Sequence, residues 1–510
     1  MVSLNGLPEQ TIYGRLNRPF MNTSTRTFTG ALLTLLEQDG GLPGTLSTRV
    51  YRAIRSTILD STLKAGDRLP STRTLATDLS ISRSTAEAAY AQLEDEGYLT
   101  RGVGSGSYVS AHAATGRQAR KSHTSSLASV TLSKRGAQIA RMGGCVDARV
   151  VRAFSAGMPA LESFPAETWH KLLARHARHD APQWMMYGDQ QGLPALREAI
   201  AQYLSLSRGV NCDASQVIVL TSSQQALGLI AMMMLDDGDP VWLEEPGYRG
   251  AQTAFSGAGA SIVPVPVDAD GLRVDEGIHL QPRARLAYVT PSHQYPLGVT
   301  LSLSRRLQLI EWARQSSAWI VEDDYDSEFH YDSRPVSAIH GLDQHECVLY
   351  VGTFSKVLFP GLRLAYLVVP RQMVPAFVTA RSQVDGHASP LMQAVLADFM
   401  RDGHFMAHVR RMRELYRARR DIFMEETDRH LRDRLVPLAA QGGLQTSCLL
   451  ADQRQSDQRL AGLAADAGID LPRLSRLYLG MDKRNGFVMG YSALTPTAIR
   501  EGIRSLARIL

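Results

Sequence analysis

Cysteine is scarce in this chain: four residues, Cys145, Cys212, Cys347 and Cys448, stand far apart with no paired or metal-like spacing. That pattern excludes a disulfide framework and a cysteine-based structural zinc site, and it predicts reduced thiols in a cytoplasmic protein with no bound metal. A basic-then-apolar leader is also missing from the opening residues MVSLNGLPEQ, so secretion is not expected. Long apolar runs are absent. The most apolar helical stretch, ALGLIAMMML, is too short to cross a bilayer. No internal repeat is seen, which excludes solenoids and propellers.

What is present points to several globular domains. At 510 residues the chain is too long for one ordinary domain. Hydrophobic content of 44% and charged content of 21% allow large cores to form. The net charge of +5 is unevenly spread. Residues 111–152 carry eight Lys/Arg and one acid, Asp147, an excess above that of the whole chain. Four segments follow: an extension at 1–44, a pattern-rich block at 45–110, a basic linker at 111–150, and a large domain at 151–510. The linker, rich in Ala, Ser, Thr, Arg and Gly, shows no sustained period. It reads as a solvated connection, or as one that also touches phosphates.

The block at 45–110 reads as three helices and a hairpin. Val50, Ile54, Ile58 and Leu59 share one helical face. Ser71 is a natural N-cap for a second helix. Ser82 caps a third, whose inner face is Ala86, Ala89, Tyr90 and Leu93. The short turn SIS between them makes a helix-turn-helix. Arg83, Ser84 and Thr85 then lie at the N-terminal end of the third helix, which meets the major groove. RGVGSGSYV forms a glycine-rich wing, with Arg101 and a tip at Gly104–Gly106 against the DNA backbone, and Arg73 clamps a phosphate. Against this stands a helical protein–protein module, since the block's eight basic and seven acidic residues nearly balance. The stretch AGDRLPSTRTLATDLSISRSTAEAAYAQLEDEGYLTRGVGSGSYV resembles the winged helix-turn-helix of the GntR family of bacterial regulators. That resemblance implies binding to a double-stranded DNA operator.

Beyond residue 151, helical patterns alternate with apolar runs at 217–220, 240–243, 261–267, 285–290, 318–322 and 347–352. This predicts an α/β domain with a mainly parallel sheet of the seven-stranded type. The mostly helical tail, 390–510, predicts a smaller α+β subdomain. Several strand ends carry groups suited to an aldehyde and a phosphate, as in pyridoxal phosphate. Lys356 in VGTFSKVLFPGLRLAY offers an amine, flanked by the hydroxyls of Thr353 and Ser355 and the guanidinium of Arg363, all suited to phosphate. In VEDDYDSEF, Asp323 suits a protonated pyridine nitrogen, and Tyr325 suits the ring's phenolic oxygen. In VLTSSQQALGL, the backbone N–H groups of Ser222, Ser223 and Gln224 open a helix, a ready anion site. Tyr248 in EEPGY offers a stacking ring, and His293 and Gln294 in TPSHQYPLG reach toward a ring oxygen. Each motif alone has a plainer reading as surface, cap or core.

Together, and in this order, they resemble the fold type I aminotransferases, and YGDQQGLPALREAIAQYLSLSRGV (187–210) is similar to that family's substrate-facing N-terminal stretch. The resemblance implies pyridoxal phosphate as cofactor, Lys356 as the Schiff-base lysine, Asp323 on the pyridine nitrogen, Tyr325 on the phenolic oxygen and Tyr248 as the stacking ring. It also implies Ser222, Ser223, Gln224, Ser355 and Arg363 on the phosphate. The chain departs from the family at Tyr295-Pro296-Leu297-Gly298, where many aminotransferases have Asn-Pro-Thr-Gly, and at Ser222, often a glycine. The usual substrate-gripping arginine motif is replaced by LYLGMDKRNGFVMGYSALTP, in which Arg484 is the candidate. A GntR-type reader followed by such a domain resembles the MocR subfamily of transcription regulators. That resemblance implies a head-to-tail homodimer and pyridoxal phosphate held as an aldimine at Lys356, either as the effector itself or as the sensor of an amino compound that exchanges with the lysine, with little or no completed turnover. The alternative is a genuine aminotransferase with an accessory DNA-binding domain.

Overall fold

The computed structural model describes residues 23–38, 44–102, 106–113, 132–143, 150–179, 181–331, 337–438 and 441–510. The chain divides into two compact units, Met1–Thr131 and Leu132–Leu510.

In the first unit, helices α1 (Thr23–Gln38), α2 (Leu46–Leu59), α3 (Thr72–Asp78) and α4 (Arg83–Asp95) precede a hairpin of β1 (Leu99–Gly102) and β2 (Gly106–Val109). Phe28 and Leu32 of α1 join Val50, Ile54 and Ile58 of α2 and Ala86, Ala89, Tyr90 and Leu93 of α4 in one core. Tyr90 is anchored as well as buried, its hydroxyl donating to the Pro70 carbonyl at 2.9 Å. α1 falls in the extension that the sequence left without structure.

The second unit opens with α5 (Lys134–Met142), inside the stretch expected to be an unpatterned linker. Ser133 caps it, and Gln138 donates to the Ser256 carbonyl at 3.2 Å. α5 buries no residue of its own.

The main sheet has eight strands: β3 (Val217–Leu220), β4 (Pro240–Glu245), β5 (Ser261–Asp268), β6 (Gly271–Leu272), β7 (Leu286–Val289), β8 (Trp319–Asp324), β9 (Val348–Thr353) and β10 (Ala365–Val368). Their order is β3-β10-β9-β8-β7-β4-β5-β6. β5, β4, β7, β8 and β9 run parallel, while β10 is antiparallel to both β9 and β3. β6 adds two residues at the edge, so seven substantial strands remain. Pro264 and Pro266 sit in β5, whose outer side pairs only at its end, where a missing N–H is tolerated.

Alternate residues of β3 enter different cores: Val217 and Val219 face one, Ile218 and Leu220 the other. Helices therefore cover both sheet faces, as a parallel sheet requires. A smaller antiparallel sheet of β11 (Leu435–Pro437), β12 (Gln445–Leu450) and β13 (Gly486–Gly490), together with helices, forms the C-terminal subdomain. The C-terminal ends of β4, β7, β8 and β9 open onto one side, where α/β sheets bind ligands.

Candidate functional sites

The DNA-reading candidates sit as the helix-turn-helix requires. Ser82 accepts from the Thr85 N–H at 3.1 Å, and its Oγ also meets Ser84 Oγ at 2.9 Å and Thr85 Oγ1 at 2.7 Å. Arg73, Ser82, Arg83 and Ser84 are exposed, and Thr85 is half-buried. Two cations are already paired: Arg83 Nε with Glu87 at 2.8 Å, and Arg101 Nε with Glu94 at 3.1 Å. Gly104 lies outside the described residues. Gly106 packs so closely that a Cβ would come within 3.1 Å of Arg68 Nε, a further exposed cation beside the wing.

The second unit holds a cavity of about 960 Å³. Ser222, Ser223, Gln224, Tyr248, Asp323, Tyr325, Thr353, Ser355, Lys356 and Arg363 all line it. Five stretches of chain separated by up to 141 positions thus converge. Asp323 is the penultimate residue of β8 and is 4% exposed. Its Oδ2 accepts from the Tyr288 hydroxyl at 2.8 Å, while its Oδ1 is buried with no hydrogen-bond partner. Desolvation is the main cause pushing its carboxyl up to about 7, against the Tyr288 hydrogen bond and the nearby Lys356 charge.

Lys356 follows β9 by three residues. Gly157 lies against it with φ +68, and a Cβ there would come within 2.9 Å of Lys356 Nζ. Gln445 Oε1, buried and without a hydrogen-bond partner, is on the same side. The Ser222 hydroxyl accepts from Gln225 N–H at 3.1 Å and caps the helix Ser223–Met234. Gln224 Nε2 donates to the Gly250 carbonyl at 2.9 Å. Arg363 takes a left-handed φ of +52, strained for a residue with a side chain. Tyr295, standing where many aminotransferases place asparagine, lines the cavity too. Its ring is edge-on to Tyr248 at 5.8 Å and to Tyr325 at 6.2 Å.

Three expected site residues, His293, Gln294 and Arg484, are not in the cavity lining. His293 is buried behind Tyr325, its Nδ1 3.0 Å from Asp326 Oδ2, so it does not reach toward a ring as expected. Gln294, read with it, spends its amide on Glu244 and two carbonyls. Arg484 is exposed on the segment before β13 and stands apart from the cavity. Arg152, Arg249, Arg473 and Arg476 do line the cavity. Among the described residues, these cations with Lys356 and Arg363 face only Asp323, Asp326 and Asp470, a balance suited to an anionic ligand. Sequence reading missed Gly157, Gln445 and these arginines. The only signal was the arginine pair in LPRLSR, which no spacing rule singles out.

These residues fit pyridoxal phosphate: an unpartnered buried carboxylate oxygen for a cationic ring nitrogen, an amine, aromatic faces, and hydroxyls with an arginine for phosphate. Among the described residues no group of side chains is arranged to hold a metal, and no helix is long and apolar enough to cross a membrane. The three described cysteines are unpaired, and burial pushes their thiols up to about 12.

Comparison with known proteins agrees over both units. Residues 46–109 match the bacterial regulatory proteins of the gntR family, and residues 153–469 match aminotransferase class I and II. A probable rhizopine catabolism regulatory protein, MocR, of Rhizobium meliloti is 40% identical, covering 92% of this chain and 94% of its own. The pyridoxine biosynthesis transcriptional regulator PdxR of Corynebacterium glutamicum is 30% identical, covering 90% and 94%. Among solved structures, the α-aminoadipate aminotransferase LysN of Thermus thermophilus, complexed with N-(5'-phosphopyridoxyl)-L-leucine, is 27% identical. It covers 74% of this chain and 94% of its own, with a TM-score of 0.66. The chain belongs to the MocR-type transcription regulators, in which a GntR-type DNA-binding domain is joined to a fold type I aminotransferase domain that takes pyridoxal phosphate.

Proposed function

We propose that this regulator senses an amino compound at Lys356 and answers by changing how it engages its operator. The observation that carries the reading is the unpartnered Asp323 Oδ1, buried in the same cavity as Lys356, in a chain that also holds a DNA reader. Bound pyridoxal phosphate supplies an aldehyde that can pass from one amine to another. Around it, Lys356 is the resident amine, and Asp323 holds the ring nitrogen in its protonated form. Tyr325 donates to the phenolic oxygen and Tyr248 stacks. Ser222, Ser223, Gln224, Thr353, Ser355 and Arg363 take the phosphate. Arg152, Arg249 and Arg473 give the cavity a cationic lobe beyond that set, suited to an amino compound bearing an acid group.

The protein acts in the cytoplasm as a homodimer, head-to-tail, and two readers then prefer paired half-sites. Met185, Met186 and Tyr187 are exposed at 83%, 69% and 96%, an apolar run that a second copy would cover. The effector shifts the operator-binding equilibrium only by its unequal affinity for the two DNA-binding states.

Operator binding, measured while amines are titrated into wild type and Lys356→Ala, tests the reading. A wild-type response that persists unchanged in Lys356→Ala overturns it. The rival, a genuine aminotransferase with an accessory reader, draws on the same cationic lobe. Sustained turnover of an amino donor with no effect on operator binding would favour that rival.

A further inference from the structure

At the cavity wall lies a buried chain of polar groups, Tyr325, His293 and Asp326, of which the reading above uses only Tyr325. Tyr325 lines the cavity, and its hydroxyl lies 3.1 Å from His293 Nδ1 and 2.9 Å from the His293 carbonyl. The same Nδ1 lies 3.0 Å from Asp326 Oδ2, and His293 and Asp326 are 6% and 2% exposed. Gly443 closes over the pair with φ +80, where a Cβ would come within 2.2 Å of the imidazole and 2.7 Å of Asp326 Oδ2. The turn at 442–443 is therefore built around the contact.

We propose that Asp326 and His293 are positioning residues that keep the single hydroxyl hydrogen of Tyr325 available to the cofactor's phenolic oxygen. The inference rests on the cavity being the pyridoxal phosphate site. An ionised carboxylate only accepts hydrogen bonds, so Asp326 requires Nδ1 to carry a hydrogen, whether the ring is neutral or charged. An Nδ1 that carries hydrogen cannot accept from Tyr325. The tyrosine hydrogen is then left to the His293 carbonyl or to a ligand in the cavity. Without Asp326 the ring is free to take the other tautomer, and its lone pair competes for that hydrogen.

The neighbourhood supports this direction. Facing His293 are Asp326, Tyr325 and, within electrostatic reach, His330. Burial disfavours the charged imidazole, but Asp326 outweighs it and raises the His293 pKa. His330 has both ring nitrogens buried without hydrogen-bond partners, and desolvation lowers its pKa, so it stays neutral and leaves the pair alone. Facing Tyr325 are Asp326, Tyr295, Asp323 and Glu244, and burial first, then these groups, holds its hydroxyl in the protonated form.

A donor on the phenolic oxygen stabilises its negative charge and weakens its hold on the proton shared with the Lys356 nitrogen. Losing the donor therefore raises the pH midpoint of the bound cofactor's visible band. The test is a pH titration of that band in full-length wild type, Asp326→Ala, Tyr325→Phe and the double variant. Tyr325→Phe is expected to raise the midpoint by about one unit or more. Asp326→Ala is expected to raise it in the presence of Tyr325 and not in its absence. A field effect of Asp326 alone has the opposite sign, since removing a negative charge disfavours the protonated form. An equal shift from Asp326→Ala in both backgrounds overturns the proposal. A wild type with no visible band instead overturns the cofactor reading on which it rests. Should Asp326→Ala fail to hold cofactor, the tautomer is read directly without it, in protein carrying nitrogen-15 histidine assigned with His293→Gln. Wild type is expected to carry hydrogen on His293 Nδ1, and a bare Nδ1 overturns the proposal.

Discussion

The two units meet their ligands in opposite states of preparation. The DNA reader is satisfied without DNA: its helix ends are capped by Ser71 and Ser82, and two of its candidate phosphate-binding cations are paired with Glu87 and Glu94. The cavity of the second unit is unsatisfied without its ligand. Asp323 Oδ1 and Gln445 Oε1 are buried with no partner, and a left-handed arginine sits at its edge. A surface that is locally satisfied binds by exchanging partners, so its affinity is graded and salt-dependent. A cavity holding orphaned polar atoms gains from its ligand what desolvation has cost it, and its occupancy affects the fold itself.

The sharpest way to break that contrast is at Lys356. Lys356→Ala is expected to abolish the visible band of the bound cofactor, while operator affinity without effector changes less than about threefold. A band that survives removes Lys356 from the site. Next in size, Asp323→Ala removes the partner of a buried cation and is expected to weaken cofactor retention by about 3 kcal/mol, roughly a hundredfold, in equilibrium dialysis.

The same aspartate gives a pH signature. Its folded pKa, about 7, lies above its unfolded value, so the cofactor-free protein is best off with the carboxyl protonated in both states. Stability from this group is fully present below the unfolded pKa and is lost as pH rises from about 4 to about 7. Cofactor, by placing a cation on Oδ1, removes that loss. Thermal melts across this range should show a larger cofactor-induced rise at pH 7 than at pH 5, and the difference should shrink in Asp323→Asn.

How much of each unit was legible follows from the same contrast. The reader's chemistry is local. Caps three residues from the N–H they accept and an apolar face at helical spacing lie within a few turns, so Ser71, Ser82 and the inner face of α4 were readable directly. In the large domain β3, β4, β5, β7, β8 and β9 announced themselves as apolar runs, whereas β6, β10 and the three short strands of the C-terminal subdomain did not. The lysine, aspartate and tyrosines were readable because each sits at a strand end beside unusual neighbours. Gly157 and Gln445 were not, since their role exists only where distant segments meet. Arg484 looked eligible only because sequence distance hides that Arg473 and Arg476 face the cavity and it does not. His293 was seen as polar and near a turn, but nothing in the sequence says that Asp326 turns it away from the cavity.

Smaller effects probe the reader. Ser82→Ala removes the cap of α4 and the anchor for Ser84 and Thr85. It should cost about 1 kcal/mol of stability in that unit. Operator affinity should fall further than this alone requires, because the end of the helix facing the groove loses its fixed geometry. Equal melting temperatures and equal affinity in the variant would mean that the cap does not position the reading end.

The smallest expected effect is at Glu87. The Arg83–Glu87 pair spans one helical turn with both side chains largely in water, and such pairs contribute about 0.3–0.5 kcal/mol. Glu87→Gln should therefore leave the melting temperature nearly unchanged. On DNA the change acts twice: it removes a negative charge facing phosphate and releases Arg83 from its competitor. Affinity for non-operator DNA should rise a few-fold at low salt, and the gain should fade as salt increases. If Glu87 instead reads a cytosine amine, operator affinity should drop while non-operator affinity rises, and discrimination between the two narrows. A variant whose operator and non-operator affinities both stay at wild-type values would mean that Arg83 does not exchange Glu87 for DNA, and that this pair belongs to the fold alone.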